Sequence, residues 1–254
     1  MVRMIMHGCN GKMGQVITKL CQEDDKIEIV AGVDPYAGID NKYPVFQSIQ
    51  ECEVEADVIV DFASAQAVDA LLEYCSARKI PLVLCTTGLS EEQNAKVEET
   101  ARQTAVLKSA NMSLGINMMM DLLQRMAKIL APAGFDMEIV EKHHNQKVDA
   151  PSGTALALAD ALNGAFDNAY QYQYDRTKER KKREKYEIGI QAVRGGSIVG
   201  EHEVIFAGPD EVIEIKHTAY SKAVFGKGAV EAAKFLAGKS AGKYDMKDVV
   251  AEQI

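Results

Sequence analysis

The groups best suited to chemistry lie in one segment, Glu141 to Thr154, which reads Glu-Lys-His-His-Asn-Gln-Lys-Val-Asp-Ala-Pro-Ser-Gly-Thr and holds two of the chain's five histidines. Histidine, here His143 and His144, is the side-chain type that changes charge near neutral pH, and the ammonium of Lys147 is both a compact cation and a proton source. Pro151-Ser152-Gly153-Thr154 precedes a run of strong helix formers, Ala155 to Leu162, that ends at Asn163-Gly164. The spacing predicts a helix starting at Ser152 to Thr154, where the first backbone N–H groups lack intrahelical partners and the dipole favours negative charge. A carboxylate can dock on such an end without an arginine, and Gly153 lets it approach closely. The implied chemistry is proton transfer on a small carboxylate. A capped helix after a loop of structural histidines would explain each residue singly, but not their combination.

The elements that must position this segment begin at the amino end. Val2 to Met6 reads as a strand, Gly8-Cys9-Asn10-Gly11-Lys12-Met13-Gly14 as a glycine turn, and Val16, Ile17 and Leu20 as the apolar face of a helix. In a dinucleotide fold such a turn brings backbone N–H groups and a helix amino end against a pyrophosphate. The register departs from a strict G-x-G-x-x-G, since Asn10 and Met13 stand where the second and third glycines would fall. A second strand, Ile27 to Val33, ends at Asp34, about 20 positions after Gly14, where a carboxylate meets the adenosine ribose hydroxyls. Its plainer role is a turn residue before Pro35.

Strands at Ala56 to Phe62, Pro81 to Cys85 and Ala105 to Leu107 alternate with helices at Ala65 to Ala77 and Glu91 to Thr104. This order predicts an α/β fold, a Rossmann-like doubly wound parallel sheet. Two strand ends carry polar turns, Cys85-Thr86-Thr87-Gly88 and Ser109-Ala110-Asn111-Met112, and ligands of open parallel sheets bind at such ends. Ser113 to Leu130 reads as a long helix whose methionines, Met118, Met119, Met120 and Met126, fill a core or an interface. After a strand at Asp136 to Lys142 and the central segment come strands at Tyr186 to Val193, Glu201 to Phe206 and Glu211 to Ala219, then a helix at Gly226 to Leu236. Successive strands imply a second, α+β domain with a mixed or antiparallel sheet, largely antiparallel.

The chain has 254 residues, 47% of them hydrophobic, enough for one large or two modest domains, and a net charge of −8 argues against a general nucleic-acid binder. The one basic run, Arg176 to Lys185, follows Tyr170, Tyr172 and Tyr174 without a nucleic-acid module and reads as a solvated loop that helps attract a dicarboxylate. Five cysteines, odd in number and without a C-x-x-C pair, suit reduced thiols in a cytoplasmic protein rather than disulfides or a metal site, and no metal is expected. No apolar run approaches a membrane span, so no membrane partner is expected either.

The segment Glu-x-His-His-x-x-Lys-x-Asp-Ala-Pro-Ser-Gly-Thr-Ala resembles the signature of the dihydrodipicolinate (4-hydroxy-tetrahydrodipicolinate) reductases of lysine and diaminopimelate biosynthesis, and the turn Gly8-x-x-Gly11-x-Met13-Gly14 is similar to theirs. The resemblance implies reduction of a cyclic unsaturated imine dicarboxylate by NADH or NADPH, with loss of water. It assigns proton transfer to His143 and Lys147, and substrate contact to His144, Gly153 and Thr154. It assigns cofactor contact to Gly8, Cys9, Asn10, Gly11, Lys12, Met13, Asp34, Cys85, Thr86, Thr87, Ser109, Ala110, Asn111 and Met112, the last standing where many members have an aromatic residue. It implies a cofactor domain of residues 1–112 completed by 223–254, a substrate and oligomerisation domain of 113–222, and a homotetramer. Asp34 followed by Pro35 and Tyr36, with no cation, predicts NADH preferred over NADPH. Two other functions compatible with the sequence are another pyridine-nucleotide reductase of similar build and a dinucleotide sensor that has kept only the first domain's role.

Overall fold

Val2–His7 forms the first strand, β1, in which four consecutive side chains, Met4 to His7, are all buried, as in a strand covered on both faces of a parallel sheet. The structure, a computed structural model, describes residues 1–178 and 180–252. After β1 come α1 (Lys12–Gln22), β2 (Ile27–Val33), β3 (Val45–Phe46), β4 (Val58–Asp61), α2 (Val68–Arg78), β5 (Leu82–Leu84), α3 (Glu91–Ala101) and β6 (Ala105–Leu107). The chain continues with α4 (Leu114–Leu130), β7 (Asp136–His143), α5 (Gly153–Gly164), β8 (Gln171–Gln173), β9 (Glu187–Arg194), β10 (Gly200–Ala207) and β11 (Val212–Ala219). It ends with α6 (Ala223–Leu236), β12 (Gly242–Tyr244) and α7 (Met246–Glu252). Two units result, one of Met1–Ser113 with the segment from Ala223 onward, the other of Leu114–Lys222.

The first unit is built on a seven-stranded sheet in the order β12-β6-β5-β4-β1-β2-β3, every pair parallel. The chain runs outward from β1 to β2 on one side and returns to β4 on the other, which makes the carboxyl ends of β1 and β4 the topological switch point. Ile5, Ile59, Leu82 and Val106 pack with Leu71 and Leu72 of α2 and Val97 of α3 in one core cluster. A capping box between Ser90 and Gln93 starts α3, each side chain bonding the other's backbone. Helix α6 packs against α1 and over the strands. At Gly228 it approaches the backbone so closely that a Cβ would lie 1.6 Å from the carbonyl oxygen of Met112.

The second unit has a five-stranded mixed sheet, β11-β10-β7-β9-β8. Strand β10 is antiparallel to both β11 and β7, while β9 is parallel to β7 and to β8. The sheet is thus less antiparallel than strand succession alone suggests, because α5 lies between β7 and β8 and a helical crossover returns the chain in the same direction. Strand β7 alternates strictly between buried and less buried residues. Its inward Met137 and Ile139 join Ile188, Ile190, Val204 and Phe206 beneath Ile116, Met119, Met120 and Leu123 of α4 and Leu158 and Leu162 of α5.

The basic run is not simply solvated. Arg176 pairs with Glu187 and, at 2.7 Å, with Glu138, while Arg183 reaches Asp136 at 2.8 Å and Glu138 at 3.0 Å and donates to the carbonyls of Met137 and Glu187. Two arginines therefore fasten the loop to an acidic patch on β7 and β9; Glu179 of the run lies outside the described residues. Among the described residues no helix is long and apolar enough to cross a membrane, and all five cysteines are free thiols.

The approach at Gly228 gives a direct test of this packing. Gly228→Ala should lower stability by more than about 3 kcal/mol, in the range of overpacked or strained sites. Gly164→Ala, whose Cβ would meet only Gln124 at 3.7 Å, should be neutral or stabilising by up to about 1 kcal/mol. Urea unfolding of the two variants reads the difference, and equal stabilities would contradict the packing.

Candidate active site

The central segment leaves β7 at His143 and enters α5 at Gly153. Ser152 caps that helix: its Oγ accepts the N–H of Ala155 at 3.2 Å and stands 2.9 Å from Nε2 of His202. Gly153 is exposed, with no atom within 4 Å of where a Cβ would lie, so the amino end of α5 is open at that residue. Thr154 follows it, half-buried.

Beneath this loop Glu141 is wholly buried. Its Oε2 accepts from Nδ1 of His143 at 2.6 Å and from Nη1 of Arg194 at 2.7 Å, and its Oε1 accepts from Nη2 of Arg194 at 2.7 Å and from the N–H of Ser152 at 3.0 Å. Burial alone would raise the Glu141 carboxyl, but Arg194, His143 and the Ser152 N–H outweigh it and hold the group below its ordinary value. It is therefore a carboxylate, and a carboxylate only accepts, so Nδ1 of His143 carries the proton and Nε2 is the ring nitrogen left to exchange one.

His202 packs edge-on against His143 with ring centroids 5.1 Å apart. Burial first, and then the neighbouring His143, push it down to about 4, so it stays neutral at neutral pH. Lys147 places Nζ 2.7 Å from Oδ1 of Asp149 and holds that carboxyl below its ordinary value. His144 is half-buried, and its carbonyl accepts the N–H of Lys147 at 3.2 Å. The second unit thus gathers all five of the proton-transfer and substrate positions named from the sequence. It adds Glu141, Arg194 and His202, to which the sequence reading gave no role, and it makes Ser152, expected at the start of the helix, its cap. Strand register brings them in: Arg194 is opposite His143, and His202 opposite Glu141.

The cofactor positions named from the sequence all belong to the first unit, in the turns that follow β1, β2, β5 and β6 and, for Lys12 and Met13, at the start of α1. Gly11 is the N-cap of α1 and supplies no side-chain cap. Gly14 lies against the turn itself, where a Cβ would come within 2.2 Å of the Gly8 carbonyl oxygen and 2.5 Å of that of Cys9. Only glycine allows this approach, and it leaves the uncapped N–H groups at the start of α1 to an anion. Cys9 is buried, its thiol pushed up to about 11 by burial and then by Asp34, so it is a neutral wall of the turn. Asp34 is buried and accepts the N–H of Asn10 at 2.9 Å through Oδ2 and that of Tyr36 at 3.0 Å through Oδ1, while Lys12 is exposed. These features fit a dinucleotide: an open helix start for a pyrophosphate and a fixed carboxylate at the end of β2.

The remaining positions differ in exposure. Thr87 and Ala110 are exposed, Cys85 and Ser109 half-buried, and Thr86 buried with its Oγ1 unpaired. Asn111 is buried and accepts the N–H of Ser113 at 2.8 Å. Met112, buried, is packed inside the chain rather than held out as a platform. Among the described residues no group of three or more His, Cys, Asp or Glu could hold a metal ion.

Comparison with known proteins covers nearly the whole chain. Residues 2–112 match the family model described as dihydrodipicolinate reductase, N-terminus, and residues 115–250 the one described as dihydrodipicolinate reductase, C-terminus. The 4-hydroxy-tetrahydrodipicolinate reductase of Caldanaerobacter subterraneus subsp. tengcongensis is 52% identical over 250 residues, covering 98% of each chain. That of Clostridium tetani is 51% identical over 246 residues, 97% of this chain and 96% of its own. Among solved structures, a dipicolinate-bound dihydrodipicolinate reductase from Paenisporosarcina sp. TG-14 has the same fold, with a TM-score of 0.79 at 23% identity over 98% of this chain and 99% of its own. The chain therefore belongs to the dihydrodipicolinate reductase family, the NAD(P)H-dependent 4-hydroxy-tetrahydrodipicolinate reductases of lysine biosynthesis through diaminopimelate.

Proposed function

We propose that His143 and Lys147 transfer the protons in this family's reaction, reduction of 4-hydroxy-tetrahydrodipicolinate to tetrahydrodipicolinate with loss of water. The observation that carries this is the locked His143, its Nδ1 bound to Glu141, in the same short segment as Lys147 and the open helix start at Gly153. The substrate is a cyclic dicarboxylate, as is the dipicolinate bound by the Paenisporosarcina reductase. One carboxylate sits at the amino end of α5 against Gly153 and Thr154, where the helix dipole favours negative charge, and His144 contacts the ring's substituents. A nicotinamide dinucleotide, when bound, would be held by the turns of the first unit and would supply the hydride. Hydride addition to a conjugated imine leaves an electron pair that must take up a proton, which Lys147 delivers, while loss of the 4-hydroxyl as water takes a proton from the ring and puts one on the departing oxygen, an exchange that Nε2 of His143 serves as acceptor and donor. The first unit is then the cofactor domain, and residues 113–222 bind substrate and join four copies.

The tetramer rests on the second sheet. Its helices cover one face, and strand alternation puts Val140 and Ile205 on the other among Glu138, Lys142, Glu201 and Glu203. An apolar strip bordered by opposite charges suits a symmetric contact between copies. Light scattering should give the mass of four chains, and a monomer at micromolar concentration would contradict it.

For the proton-transfer roles, His143→Ala and Lys147→Ala should each lower kcat by about 10² to 10⁴-fold, with NADH binding changed little. Lys147→Arg should not recover activity, because arginine keeps its proton. Near wild-type turnover of either folded alanine variant at saturating substrates would sink the assignment.

Cofactor preference follows from Asp34. Its two oxygens each take one backbone N–H, which leaves acceptor capacity for the ribose hydroxyls of NADH, whereas the 2′-phosphate of NADPH would bring a like charge beside it. Pro35 and Tyr36 supply no cation there, and the exposed Lys12 softens the discrimination without reversing it. NADH should be favoured in kcat/KM by about tenfold, which needs only about 1.4 kcal/mol. Asp34→Ala should narrow the gap and Pro35→Arg should move it toward NADPH. A wild-type preference for NADPH would show that another cation outweighs Asp34.

A further inference from the structure

Arg194 ends β9 and stands opposite His143 in the sheet. We propose that it is the positioning residue of this site, fixing His143 through Glu141 and the Lys147 loop through the Asp149 carbonyl. The inference rests on the roles assigned above to His143 and Lys147, and extends them to a residue some 50 positions away in sequence.

The guanidinium meets Glu141 as a two-pronged fork, Nη1 to Oε2 and Nη2 to Oε1, each at 2.7 Å. With the fork in place, Oε2 has one acceptor position left, filled by Nδ1 of His143, and Oε1 has one, filled by the Ser152 N–H. All four positions of the carboxylate are used, so it cannot rotate, and the tautomer of His143 is set with Nε2 bare. Space beside that nitrogen is kept by Gly200, where a Cβ would lie 3.1 Å from Nε2.

Nη2 also donates to the carbonyl of Asp149 at 2.7 Å, and the carboxylate of the same residue holds Nζ of Lys147. The chain around Arg194 reinforces this: the Gly195 N–H bonds the His143 carbonyl at 2.9 Å, and the Asn145 N–H bonds the Gly196 carbonyl at 3.2 Å. One planar cation thus ties both proton-transfer groups to the end of β9. Lysine would keep the charge but could not make the fork.

The test is a coupled substitution. Arg194→Lys should lower kcat by about 10²-fold while leaving NADH binding unchanged. In a His143→Ala and in a Lys147→Ala background the same substitution should cost several-fold less, because residues acting through one another are not additive. An undiminished loss in both backgrounds, or near wild-type kcat for Arg194→Lys, would overturn the positioning role. Near wild-type kcat for His143→Ala and Lys147→Ala would instead overturn the assignment beneath it. A measurement that needs no variant to fold is the ring ¹⁵N spectrum of histidine-labelled wild-type protein: His143 should be the Nδ1–H tautomer, and an Nε2–H tautomer would overturn the proposal.

Discussion

A carboxylate buried at Glu141 is the constraint on which the second unit's site depends. Taking an ionised carboxylate out of water costs several kcal/mol even after relaxation, and removing one partner of such a buried pair typically costs about 3–5 kcal/mol. The group is tolerated here because four donors meet its four acceptor positions, from β7, β9 and the amino cap of α5. Each donor is held in turn by its own element. The strand end, the opposite strand and the helix start are therefore fixed relative to one another by a single charge rather than by apolar packing, which cannot set the direction of a ring nitrogen.

The same logic, with backbone donors in place of side chains, operates in the first unit. Asp34 accepts the N–H groups of Asn10 and Tyr36, which joins the glycine turn after β1 to the loop after β2. Gly14 brings α1 onto that turn at a distance no Cβ allows. In both units an acidic side chain at a strand end organises the neighbouring loop, and a helix start beside it is open to an anion. A dinucleotide pyrophosphate and a substrate carboxylate would make the same demand on a protein, and in the function proposed above the two helix starts would meet it.

Much of this was legible in the residue order. Alternating strands and helices over the first hundred residues gave the parallel sheet, since apolar runs ending in turn residues recur between stretches long enough to be helices. The segment from Glu141 to Thr154 carried its own chemistry in adjacent positions. What escaped was whatever depends on pairing between distant strands. Arg194 and His202 reach the site only because β9 and β10 flank β7 in a particular register, and one sequence does not state that register. A signal was present: a charged residue and a histidine beside glycines, Arg194-Gly195-Gly196 and Gly200-Glu201-His202, at strand ends. The short strands β3, β8 and β12, of two or three residues, show no periodicity to read. In the basic run, the acidic patch of Asp136, Glu138 and Glu187 that binds Arg176 and Arg183 is likewise assembled only by the sheet.

The central claim is that the amino end of α5 receives a substrate carboxylate beside His143 and Lys147. A crystal structure of the protein with NADH and pyridine-2,6-dicarboxylate would test it most directly. The account predicts one carboxylate within hydrogen-bonding distance of the backbone N–H groups of Gly153 and Thr154, with Nε2 of His143 and Nζ of Lys147 facing the ring. A dicarboxylate bound elsewhere, away from Gly153 and Thr154, would contradict it.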